Sequence, residues 1–268
     1  MNFTVLRRAG VCLASLALAG TGIALGQSAV ASAAPFHHYG RMICTQGTVR
    51  PGVYTSLKVY GYCTLTDQGT VIVQTSLTVG PTATFWGVTN GTLIVRGNAT
   101  VGAGGTLDVG CNTVSVGPPC TVDTPDEIGG SVTADRAKEV VFHTTAVEGN
   151  FDVTGSSTDT SCTAMDPFSG PAYFDFEDGQ VFGNLTWTDV DTCWLGTFRT
   201  WVGGNMVFTG NMTNTTVPGI AYDSPEIASN VIVGALDCTG NVPKPTFGDS
   251  GGKPNIAGGG KHGQCKHL

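Results

Sequence analysis

The chain is poor in charge, and poorest in positive charge. Only 12% of its 268 residues are charged, with 13 Lys and Arg against 20 Asp and Glu. Such a balance repels a phosphate backbone and excludes a charge-driven nucleic-acid binder. Histidine is scarce, at five residues, and no C-x-x-C occurs. The cysteine spacing of a zinc module is therefore missing. Past residue 34 no apolar run approaches the roughly 20 residues that cross a bilayer, so no membrane span is expected in the mature chain. Helical periodicity is nearly absent too, Ala134–Val140 being the one weak candidate.

Glycine, by contrast, is abundant. The chain holds 39 Gly, yet 41% of its residues are hydrophobic and there is no Gly-X-Y period. This excludes both collagen and a disordered low-complexity chain.

The segment 1–33 reads as a signal peptide. Arg7 and Arg8 precede an apolar stretch from Val11 to Leu25, and Ala31-Ser32-Ala33 supplies the small residues of a cleavage site. Cys12 lies before the end of the apolar stretch, which argues against a lipid anchor. The pair Arg7-Arg8 sits in a poor twin-arginine context, so ordinary secretion is expected. Removing residues 1–33 leaves 11 basic and 20 acidic groups, a balance of −9. The predicted organisation is a signal peptide at 1–33, a repeat domain at 34–238 and an irregular tail at 239–268.

Eight cysteines remain in the exported part: Cys44, Cys63, Cys111, Cys120, Cys162, Cys193, Cys238 and Cys265. An even number in an exported chain reads as a disulfide framework. Short loops close at the lowest entropic cost, which favours the local pairs Cys44–Cys63, Cys111–Cys120, Cys162–Cys193 and Cys238–Cys265.

Between residues 50 and 116 an apolar-x-apolar triplet recurs. It reads Leu57-Lys58-Val59, Val71-Ile72-Val73, Leu77-Thr78-Val79, Leu93-Ile94-Val95, Ala99-Thr100-Val101, Leu107-Asp108-Val109 and Val114-Ser115-Val116. Strand alternation puts the outer two residues of each triplet on one face and the middle one on the other. Strands this short bury a core only when coil stacks on coil, so the expected fold is all-β, a parallel β-solenoid pinned by disulfides. The intervening Gly, Asn and Pro suit its corners. An antiparallel sandwich is the competing architecture. Later, Asn150, Asn184, Asn205 and Asn230 mark what reads as one coil each, with an insertion at 155–173.

The Gly-Asn-x-x-Val rungs, the sequential cysteines and the ending Cys238-Thr239-Gly240-Asn241 through Gly263-Gln264-Cys265 resemble a group of small secreted actinobacterial β-solenoid proteins without assigned activity. The resemblance implies a right-handed parallel β-helix and carries over no catalytic residue.

Three features invite a chemical reading. Residues 108–191 hold 15 acidic groups against Arg136 and Lys138. Within them Asp175/Glu177 and Asp189/Asp191 are spaced to share a strand face. A solvated coat that keeps the protein soluble is the plain reading; a Ca²⁺ site or a carbohydrate-active carboxylate pair are the alternatives. Trp187, Trp194 and Trp201 lie in the same region, either packed in the core or forming a sugar-stacking platform on a cell-wall or extracellular polysaccharide. Gly248-Asp249-Ser250-Gly251-Gly252 matches the nucleophile motif of serine proteases, with His143 the only candidate base, but the remaining signature is missing. The tail from Thr239 carries Lys244, Lys253, Lys261 and Lys266, and suits either an end cover or attachment to an anionic envelope. The expectation is a secreted, non-catalytic solenoid with no cofactor.

Overall fold

The computed structural model describes residues 37–113, 120–157, 173–213, 224–248 and 252–268. Within them the chain is all-β: 26 strands and no helix. Every pair of named strands is parallel. The helical candidate Ala134–Val140 is instead two strands, Val132–Ala137 and Glu139–His143. The break between them follows Arg136, whose φ of 50° belongs to a corner and not to a helix.

The strands stack on three faces of a solenoid. Val71, Leu93, Ile128, Val147, Val181, Val202 and Ile232 point inward from the first face. The second face contributes Leu77, Ala99, Val132, Phe151, Leu185, Met206 and Leu236, and the third Phe85, Leu107, Val140, Phe174, Leu195 and Ile227. Each triplet pairs with its equivalent one coil on, as Leu77 with Ala99 and Val71 with Leu93. Where nothing is inserted the coils are short and nearly equal, as from Val53 to its partner Ile72 or from Gln180 to Trp201. Three coils are longer by an inserted loop: those from Ile94 to Glu127, from Ala146 to Gln180 and from Trp201 to Val231. The expected insertion at 155–173 falls in the second of these, and residues 158–172 lie outside the described residues. The triplet Val114-Ser115-Val116 also lies outside them.

The corners are held by side-chain ladders. The backbone N–H of Asn184 donates to the Asn150 side chain, that of Asn205 to Asn184, and that of Ala235 to Asn205. Ala235, not Asn230, is thus the fourth member of this column. Asn230 belongs to a different corner: its Oδ1 accepts from Thr200 N–H while its amide donates to Asn255 and to the Thr197 carbonyl. A third column runs through Asn211, Asn241 and Gln264, each a buried or half-buried amide bonded to the next. An amide side chain carries donors and an acceptor, so one residue closes a coil corner and reaches the next coil as well.

Among the described residues three disulfides have both partners, Cys44–Cys63, Cys111–Cys120 and Cys238–Cys265. Cys193 is also disulfide-bonded, while Cys162 lies outside the described residues. The tail adds the short strands Ile256–Ala257 and Lys261–Gly263, which continue the first and second faces. Leu268 and Cys265 close that end of the core.

Candidate functional site

On the third face, alternation turns Phe174 and Phe176 of the strand Tyr173–Glu177 into the core and sends Tyr173, Asp175 and Glu177 outward. Outward does not mean solvated here. Trp194, Phe198 and Ala228 form a second apolar cluster against Tyr173 and Phe247. The Trp194 ring lies across Gly196, where a Cβ would meet it at 2.1 Å. Only glycine permits that fold-over, which lays the ring over the register partner of Asp175.

His143 ends the neighbouring strand and pairs directly with Glu177. Its Nδ1 lies 2.5 Å from Glu177 Oε1 and 3.9 Å from Asp175 Oδ2. His143, Asp175 and Glu177 are only 7%, 6% and 3% exposed. The other Glu177 oxygen, Oε2, accepts from Arg199 at 2.7 Å. Arg199 also grips Asp178 through Nε and Nη2, at 2.5 and 2.7 Å, and Asn112 Nδ2 donates to Asp178 Oδ2 at 2.8 Å. Arg199 therefore fixes Glu177, the carboxylate nearest the His143 ring, and is itself held in place through Asp178, which Asn112 also bonds. Gly110 brings the Asn112 loop against this strand; with φ of 85°, it sits where a Cβ would fall 1.7 Å from the His143 carbonyl.

The electrostatics follow from burial. Loss of water pushes the Asp175 carboxyl well above the carboxylate range; the negative Glu177 adds to the rise and Arg199 opposes it. Asp175 Oδ1 is buried without a hydrogen-bond partner. Burial also raises Asp108, with Glu139 adding to the effect, and carries Glu139 itself to about 7. Asp126, buried beside the backbone of the first face, is carried to about 8. The expected solvated coat is thus corrected at Asp108, Asp126, Asp175 and Glu177, all of which are buried. Asp135 and Glu148 do face solvent.

The other candidates disperse. Asp189 is an exposed corner residue with φ of 52°, which breaks the alternation that would have aligned it with Asp191. Asp191 opens a separate two-stranded ladder, its backbone bonded to Ser156. Neither belongs to the His143 cluster. Trp187 is fully buried in the core, its Nε1 donating to Thr197 Oγ1 at 3.0 Å. Trp194 lies outside the third face in the second apolar cluster. Trp201 is half-buried on the first face, edge-to-face with Phe182 at 5.2 Å. One tryptophan in the core and two in separate places outside it make no sugar-stacking ladder. Of the protease motif, Asp249, Ser250 and Gly251 lie outside the described residues, and His143 sits against Glu177.

Sequence reading missed Arg199, Asn112 and Asp178, and met His143 only as a base for a protease. The available signal was positional: His143 and Glu177 each stand at the outward end of an alternating strand, just before a left-handed corner at Thr144 and Asp178. No protein-family model, no curated protein and no solved structure matches this chain.

Proposed function

We propose that the protein is a secreted, non-catalytic β-solenoid with a structural and surface-interaction role at or near the cell envelope. The observation that carries this reading is an apolar strip on the outside of the first face. Trp201, Val231 and Ile256 are register partners on successive coils, and Phe182 and Val233 lie beside them. Phe182, Val231, Val233 and Ile256 are exposed. Isolated exposed apolar residues are ordinary, but an aligned row of them on a stacked sheet is a recognition surface. The disulfides suit an oxidising compartment, and the charged, apolar and small-residue order of the segment 1–33 supports export. Lys244, Lys253, Lys261 and Lys266 give the acidic chain one basic end, complementary to anionic envelope polysaccharide.

The test is co-sedimentation of the labelled mature protein with purified cell envelopes. Wild type is expected in the pellet, and the double variant Phe182→Ser, Val233→Ser in the supernatant at unchanged circular dichroism. Undiminished pelleting of the variant, or release of reducing ends from acidic polysaccharides by the wild type, would overturn the reading.

A further inference from the structure

We propose that His143, Asp175 and Glu177 form a buried site for one divalent first-row transition-metal cation, of which Zn²⁺ is the representative, clamping two consecutive coils of the solenoid. His143 comes from the strand Glu139–His143 and the two carboxylates from Tyr173–Glu177, so the ion bridges strands that the chain separates by the whole 158–172 insertion.

The geometry is already that of a ligand set. One atom from each residue, His143 Nδ1 and a carboxylate oxygen from Asp175 and Glu177, lie within 4.8 Å of one another. Metal–ligand bonds of about 2.0–2.2 Å place neighbouring ligand atoms about 3.0–3.5 Å apart. The separations of 2.5 and 3.9 Å from His143 Nδ1 bracket that range, so small side-chain rotations complete the set. The short contact between His143 Nδ1 and Glu177 lacks hydrogen-bond alignment, and Asp175 Oδ1 is buried with no partner at all. Both facts point to a shared occupant between the groups.

Charge and orientation agree. Asp175, Glu177, Asp178 and Glu226 act on this spot with Arg199 as the opposing cation. Arg199 holds Oε2 of Glu177 and leaves Oε1 toward the His143 ring. That is the outer support which orients metal-ligating carboxylates. A neutral imidazole with two carboxylates is a mixed nitrogen and oxygen set that suits Zn²⁺ and its neighbours. Ca²⁺ needs six to eight oxygens, more than these two carboxylates supply. The residues are more than nine-tenths buried, and three protein ligands leave the fourth position of a four-coordinate Zn²⁺ to a second carboxylate oxygen or to a water.

The experiment uses untagged, folded protein stripped with EDTA and titrated with ZnCl₂ by calorimetry, with CaCl₂ in parallel. One equivalent of Zn²⁺ should bind, raising the thermal midpoint, with Ca²⁺ at least about tenfold weaker and Asp175→Asn at least about a hundredfold weaker. Binding that is absent, unchanged in Asp175→Asn or equally strong with Ca²⁺ overturns the proposal. Should Asp175→Asn not fold, X-ray absorption on zinc-loaded wild type decides. A single imidazole among oxygen ligands at about 2.0–2.2 Å supports the site, and a shell without imidazole refutes it.

Discussion

Asp126 offers the sharpest handle on how this fold tolerates buried acid. Its Oδ1 accepts the Leu93 N–H at 2.8 Å and its Oδ2 is buried without a partner. Burial takes its pKa from an ordinary 3.8 to about 8, the Leu93 and Gly110 backbone donors opposing the rise. Between those two values the folded chain holds a proton that the unfolded chain has released, so stability falls as pH rises and levels off above about 8. At about 1.4 kcal/mol per unit, the loss from Asp126 is about 4 kcal/mol between pH 4.5 and 7.5. Asp126→Asn keeps the acceptor and replaces the proton-bearing oxygen with an amide that needs no protonation. Urea unfolding of both proteins at pH 4.5, 6 and 7.5 reads the difference. The variant should match wild type to within about 1 kcal/mol in acid and exceed it by about 5 kcal/mol at pH 7.5. Parallel stability curves for the two proteins would refute the assignment of a buried proton to Asp126.

Three further outcomes follow from the packing. Trp187→Ala removes a fully buried ring that also donates to Thr197, and should cost about 3–5 kcal/mol in chemical unfolding; Trp187→Phe should recover part of that. Asn211→Ala strips the acceptor for Val190 N–H and the donors to the Trp187 carbonyl and Asn241. Leaving such buried groups unmet should cost about 2–5 kcal/mol, with hydrogen exchange accelerating first at the Val190 corner. Replacing Cys238 and Cys265 together by Ser opens a loop closed across 27 residues, with an expected loss of about 3–4 kcal/mol and earlier proteolysis of the tail.

Much of the fold was legible because alternation is a local property. Leu57, Val59, Leu77, Val79, Leu93 and Val95 are fixed as inward by their triplets, and all are buried. The cysteine pairs were legible because short loops close most cheaply, and three of them are present as expected. The Asn column was only partly legible: Asn150, Asn184 and Asn205 are stacked, but Asn230 lies at another corner because the coil before it carries an inserted loop. Sequence spacing cannot tell an insertion from a change of corner.

The sequence by itself determined which triplet side chains face the core and three of the cysteine pairs. It also determined that the chain is acidic and short of cations. What lies beyond the outward side of each strand was decided only by the tertiary structure. Lys58 and Asp108 occupy the same middle position of a triplet, yet one is exposed and the other buried. Likewise Trp187, Trp194 and Trp201 recur at even spacing and end in three different places: the core, the second apolar cluster and the outside of the first face. The physical reason is that strand alternation has two states, in and out, whereas burial depends on which distant segment covers the outside. The meeting of His143 with Glu177 is of the same kind. The two stand far apart along the chain, and only the closing of a coil around its insertion makes them neighbours.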